Sequence, residues 1–174
     1  MTKRNPAWAR DELMLALDLY FRLGVSQRAV AHDHPAVLEL SAILNSLPIH
    51  RVRPDSGKFR NANGVNMKLC NFLRFDPIYE GAELRRGGRA EKAVSDEFAG
   101  DEERLSLMAS AIREAVSSTA TRAMIASAVD EEEAWAVEGR VLHRLHRLRE
   151  RQPALVRRKK TAALRHHGRL VCEV

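Results

Sequence analysis

Between Lys58 and Arg74 the sequence KFRNANGVNMKLCNFLR places cations and side-chain amides around the start of a helical pattern. These residue types can contact DNA. A guanidinium at Arg60 has the donor fork that matches guanine, and the amide of Asn61 or Asn63 matches adenine, because both pair bidentately with base edges in the major groove. Lys68 and Arg74, farther along the same pattern, suit phosphates, and Lys58 stands in the loop before it. A helix, a connection and a second helix with such residues at its start is the layout of a groove reader. The connection here is much longer than a helix-turn-helix turn. A second reading of the two asparagines stands beside the first: Asn61 and Asn63 make the turn and cap the helix, as asparagine commonly does.

A second cluster lies near the C-terminus, where Arg157, Arg158, Lys159 and Lys160 are consecutive and Arg165, His166 and His167 follow. Four successive cations cannot share one helix face, so their chemistry is attraction to a polyanion and not base readout. From Gly139 to Val174 eleven Lys and Arg stand against two acids, a net of +9. The whole chain is +6, which leaves residues 1–138 at −3. A near-neutral domain followed by a strongly basic extension is the charge layout of a nucleic-acid partner; a solvated basic helix is the plainer reading.

Other chemistries leave little trace. His143 and His146 have the i, i+3 spacing of a metal-ligating pair, but no HExxH motif and no carboxylate set completes a site. Asp130 to Glu133 are consecutive acids that point different ways on a helix and so do not converge as an acid/base pair. There is no GxSxG, no Walker loop and no GxGxxG. No catalytic residue is assigned.

The elements that must position these groups are helices. Leu13, Ala16, Leu17 and Tyr20 give residues 8–23 an apolar stripe, with Asp11 and Glu12 in the first turn and Gly24 as the stop. Pro35 opens a second helix with Val37, Leu40, Ser41 and Leu44 facing in, and Pro48 closes it. Residues 49–64 read as a long basic loop and residues 65–74 as a third helix. Helical patterns follow at residues 90–99, 102–117, 121–133, 137–151 and 154–166. In residues 137–151, Val141, Leu145 and Leu148 line one face while Arg140, Arg144, Arg147 and Arg151 crowd another.

Sparse aromatics (5%), and glycines and prolines that cluster in a few places instead of punctuating the chain regularly, favour the same class. The expectation is an all-α chain: a multi-helix domain over residues 1–136 with a long basic loop, and a basic helical C-terminal extension over residues 137–174. No apolar run reaches the roughly 18 residues of a membrane span, the N-terminus lacks the apolar core of a signal peptide, and Cys70 and Cys172 make no disulfide framework. A cytoplasmic protein with no membrane partner is expected.

Three blocks carry a family resemblance. Trp8, Arg10-Asp11-Glu12-Leu13 and Ala16-Leu17-Asp18-Leu19-Tyr20 form the first; His34-Pro35, Val37, Glu39-Leu40-Ser41, Leu44 and Leu47-Pro48 form the second. Phe59-Arg60-Asn61-Ala62-Asn63-Gly64-Val65, Met67-Lys68-Leu69, Asn71-Phe72 and Asp76-Pro77 form the third and most specific. Together they resemble the N-terminal region of bacterial HNH endonucleases of the 5-methylcytosine-specific restriction protein A-like type. In that family the region precedes a ββα-metal nuclease domain. Residues 138–147, 155–160 and 168–174 resemble the linker into it.

The resemblance implies a DNA-recognition portion of a restriction-type, defence-related endonuclease, acting on DNA that is modified or unmodified. It places Cys172 as the first ligand of a four-cysteine structural zinc site that belongs to the nuclease domain, with the divalent catalytic metal there as well. On this expectation the chain holds no cofactor of its own, is inactive as a nuclease alone, and stops before the HNH residues. The alternative is an assembly module, in which helices 102–117 and 137–151 form the seam of an endonuclease homodimer and contact with DNA is only non-specific.

Overall fold

The computed structural model describes residues 5–50, 53–54, 57–81, 88–127 and 140–150, together with residues 157, 160, 161, 164 and 165. The described elements are helical: α1 (Arg10–Leu23), α2 (Pro35–Ser46), α3 (Ala62–Phe72) running into a 3-10 turn at Leu73–Phe75, α4 (Arg89–Glu97), α5 (Glu102–Ser117), α6 (Thr119–Ser127) and α7 (Arg140–Glu150). No strand occurs among the described residues, and no helix among them is long and apolar enough to cross a membrane. The all-α class expected from composition and periodicity is what the chain adopts.

Helix α1 is the axle of the fold. It packs against α2, α3, α4, α5 and α7, while α6 lies against α5 and α7. Every residue from Asp11 to Tyr20 is buried. Beyond the apolar stripe of Leu13, Ala16, Leu17 and Tyr20 read from the sequence, Met14, Leu15 and Leu19 are buried as well. A helix enclosed on every side needs no polar face. Its polar positions, Asp11, Glu12 and Asp18, are therefore buried as well, and each must find a partner inside the protein.

The helix ends follow local chemistry. Gly24 closes α1 at φ 60°, the left-handed region where a Cβ is costly, and donates its N–H to Phe21 O at 3.0 Å. At the other end the Ala9 N–H donates to Glu12 Oε2 at 2.7 Å, the reach-back of a capping box. His34 Nδ1 accepts the Ala36 N–H ahead of Pro35, which takes the first helical position of α2. Asp101 caps α5 through the Arg104 N–H.

Helix bounds shift from the sequence expectation, most clearly at the start of α3. Helix α3 begins at Ala62, so residues 62–64 leave the expected loop and join the helix. Of the remainder, residues 51, 52, 55 and 56 lie outside the described residues. The domain boundary placed at 136/137 also falls outside them. Val141 of α7 is fully buried in the same apolar cluster as α1 and α5, so the basic extension starts on the domain's own core.

Candidate nucleic-acid interface

Arg60 occupies the turn immediately before α3 with φ 45°, the only positive-φ non-glycine among the described residues. Its side chain points inward and is 2% exposed. Nε donates to Glu12 Oε1 at 2.7 Å and Nη2 to Glu12 Oε2 at 2.8 Å, the parallel fork-on-fork pairing of guanidinium with carboxylate. Nη1 donates to Pro6 O at 3.1 Å and Nη2 to Ala7 O at 2.9 Å. The guanidinium lies 4.5 Å from the Trp8 ring centroid and 4.9 Å from that of Phe59. The donors that would read guanine are spent on α1 and on the strand of chain leading into it. The expected base-reading role of Arg60 is thus corrected: a buried guanidinium with these partners has no fork to present to a groove.

Lys68 departs from expectation for a related reason. It is buried on the α3 face that meets α4, where Nζ pairs with Glu91 and stands 5.0 Å from the Trp8 ring centroid. A phosphate cannot reach it there. Trp8 is thus close to two cations, and residues 5–9 are tied down by the Arg60 donations to Pro6 O and Ala7 O and by the Asn5 Nδ2 donation to Lys58 O at 3.1 Å.

For Asn61 the capping reading is the one the geometry supports. Oδ1 accepts the Gly64 N–H at 2.9 Å and Nδ2 donates to Gly57 O at 3.1 Å. A Cβ on Gly64 would stand 3.2 Å from that Oδ1, so the small residue lets the cap approach. Asn63, two residues on, is exposed, as are Lys58 and Arg74.

Glu12 is the electrostatic centre of this arrangement. Burial alone would raise its carboxyl, but hydrogen bonds from His50 and Arg60, the Arg60 charge and the Ala9 N–H outweigh that and hold it below the usual carboxylate range. His50 Nε2 lies 3.1 Å from Glu12 Oε2, and its ring packs edge-on to Phe59. The other two buried acids of α1 are used in the same manner. Asp18 takes Arg22 Nε at 3.0 Å and the Arg113 guanidinium of α5. Asp11 receives the Val141 N–H at the start of α7, 3.4 Å from each carboxylate oxygen. Sequence reasoning took Asp11 and Glu12 as first-turn charges and gave neither His50 nor Trp8 a role in the site. The one usable signal was that acids interrupt an otherwise apolar helix.

In the C-terminal cluster three cations fall among the described residues. Arg157, Lys160 and Arg165 are helical and exposed, and the Thr161 hydroxyl donates to Arg157 O at 2.9 Å, one turn back. Arg158, Lys159 and Cys172 lie outside the described residues. On α7, Leu142 and Leu145 pack on the core and His143 and His146 are exposed. Arg144 and Arg147 are half-buried. Among the described residues no three His, Cys, Asp or Glu side chains gather as a metal site requires.

The site therefore divides in two. Arg60, Asn61 and Lys68 build the domain, whereas Lys58, Asn63, Arg74, Arg157, Lys160 and Arg165 face outward. The cations among them suit phosphates and do not by themselves distinguish bases, whereas Asn63 is an amide. Compared with known proteins, the chain matches no family model, no curated protein and no solved structure.

Proposed function

We propose that this chain is a DNA-binding module in which a near-neutral helical domain carries a basic helical arm, and that the arm binds the phosphate backbone. The reading of it as part of an HNH restriction-type endonuclease belongs to the same proposal and rests on the sequence resemblance alone. The observation that carries DNA binding is the partition of charge: residues 139–174 hold a net of +9 while residues 1–138 hold −3. That Arg157, Lys160 and Arg165 are exposed supports it further.

Burial of Arg60 and capping by Asn61 favour contact with the backbone over readout of bases. The guanidinium expected to read guanine is committed to Glu12, and the described aromatic rings are all buried or half-buried. A pocket for a flipped base would call for an accessible ring to stack on it.

A salt titration tests the proposal. The full chain is titrated with short duplexes of different sequence and modification, beside a variant carrying R157E, K160E and R165E. The expected result is binding that weakens steeply with salt and varies little among duplexes, with the triple variant binding more weakly and with a shallower slope. Equal binding by the two proteins sinks the proposal. Loss of a homodimer in the variant, with no change in DNA affinity, would show instead that the arm serves assembly.

A further inference from the structure

The three buried acids of α1 each hold a different part of the chain. Glu12 holds the turn before α3, and Asp18 holds α5. Asp11, wholly buried, holds the start of α7, with the Val141 N–H 3.4 Å from both Oδ1 and Oδ2. The first amides of a helix lack acceptors within the helix and form the positive end of its dipole, so a carboxylate there is favoured twice over. Normally the residue just before the helix supplies that acceptor. Here it comes from 130 residues earlier in the chain. Val141, which carries the bonded amide, is itself fully buried in the core.

Helix α7 is also where the basic segment begins: Arg140 to Glu150 open the stretch that leads to Arg157, Lys160 and Arg165. We propose that Asp11 is the anchor that docks this segment on the domain, capping α7 from the central helix and thereby setting where the arm starts and in which direction it leaves. For DNA binding this makes Asp11 a positioning residue, acting through α7 with no contact of its own to the nucleic acid. That last step rests on reading the arm as the DNA-contacting surface; the anchor does not depend on it.

The role separates cleanly from general stability because α7 packs on α1, α5 and α6, leaving α2 and α3 as internal references. Full-length D11A and D11N are compared with the native chain by hydrogen exchange and by DNA titration. In D11A the amides of residues 141–144 should exchange about tenfold faster or more, the effect of losing a helix cap, while those of α2 and α3 keep their protection. D11N retains an acceptor oxygen without the charge and should fall between the two. DNA affinity should drop several-fold with an unchanged salt slope, since no cation has been removed. Should D11A fail to fold, D11N decides by the same comparison.

Unchanged protection of α7 in both variants overturns the anchor. So does an even loss across α2, α3 and α7, which would make Asp11 a support of the whole domain. If exchange behaves as expected but the native chain shows no salt-dependent DNA binding, the positioning role falls with the DNA reading and the anchor stands.

Discussion

Arg60 grips Glu12 across 48 residues of sequence, Nε to Oε1 at 2.7 Å and Nη2 to Oε2 at 2.8 Å, with the arginine 2% exposed and the glutamate fully buried. The pair joins the turn before α3 to the first turn of α1, and its remaining donors hold Pro6 and Ala7. A backbone at φ 45° is unfavourable for a residue with a Cβ and persists only where the surroundings over-determine it. The five contacts of this guanidinium, counting His50 Nε2 at 3.4 Å, are that over-determination.

It follows that Arg60→Ala damages the fold and not a binding surface. Removing one partner of a buried ion pair strands the other's charge, at a cost of about 3–5 kcal/mol. Urea denaturation should show a loss of that order, and replacing both partners with apolar residues of similar size should recover much of it. If R60A unfolds at the native urea midpoint but no longer binds DNA, Arg60 reads DNA after all and its burial is irrelevant in solution.

Acid should act through Glu12. Its folded carboxyl lies below its usual value of 4.5 because the His50 and Arg60 hydrogen bonds and the Arg60 charge overcome the effect of burial. A group whose folded pKa is lowered stabilises the protein fully above the unfolded value and loses that contribution as pH falls through the folded one. The expected profile is a stability that declines as pH drops below about 4.5. Glu97, lowered by hydrogen bonding to Arg10, acts in the same direction but is more exposed and adds less. In Glu12→Gln the protein is weaker at neutral pH, and the acid-dependent decline is smaller than in the native chain. Urea midpoints measured from pH 3 to 7 decide this, and parallel profiles for the two proteins would rule Glu12 out as the cause.

The two readings of Asn61 also part experimentally. As a helix cap, Asn61→Ala should cost about 1 kcal/mol, while Asn61→Asp, another good cap, costs little. A base reader would behave otherwise. Aspartate there would repel DNA and weaken binding sharply, with stability hardly changed. Thermal unfolding and a duplex titration on the same two variants separate these outcomes.

How far the sequence could be read depends on what each feature rests on. Periodicity is local, so α5 emerges at Glu102–Ser117 with the very bounds expected. Caps are nearly local: Pro35 and Gly24 mark their helix ends. The direction of a long side chain is not local. Arg60 looks like a surface reader because the residues that consume it, Glu12, Pro6 and Ala7, lie about 50 positions away. Likewise, nothing near Asp11 reveals that α7 arrives on it from residue 141. Acids embedded in an apolar helix are the trace such contacts leave in a sequence. Each one asks for a buried partner without saying which.

Lys58 and Lys68 stand ten residues apart and make the sharpest contrast available between the two halves of the candidate interface. Lys58 is exposed in the turn before α3, while Lys68 is buried against Glu91 and Trp8. If Lys58 meets a phosphate, K58A should leave the unfolding transition where it is and lower the salt slope of DNA binding by about one. K68A should do the reverse. It leaves Glu91 buried without its partner, so stability falls, while the slope per folded molecule stays as in the native chain because no contacting cation has been lost. Swapped results would mean that α3 turns its Lys68 face outward when DNA binds, and the domain would then be a reader that rearranges and not a rigid carrier of the arm.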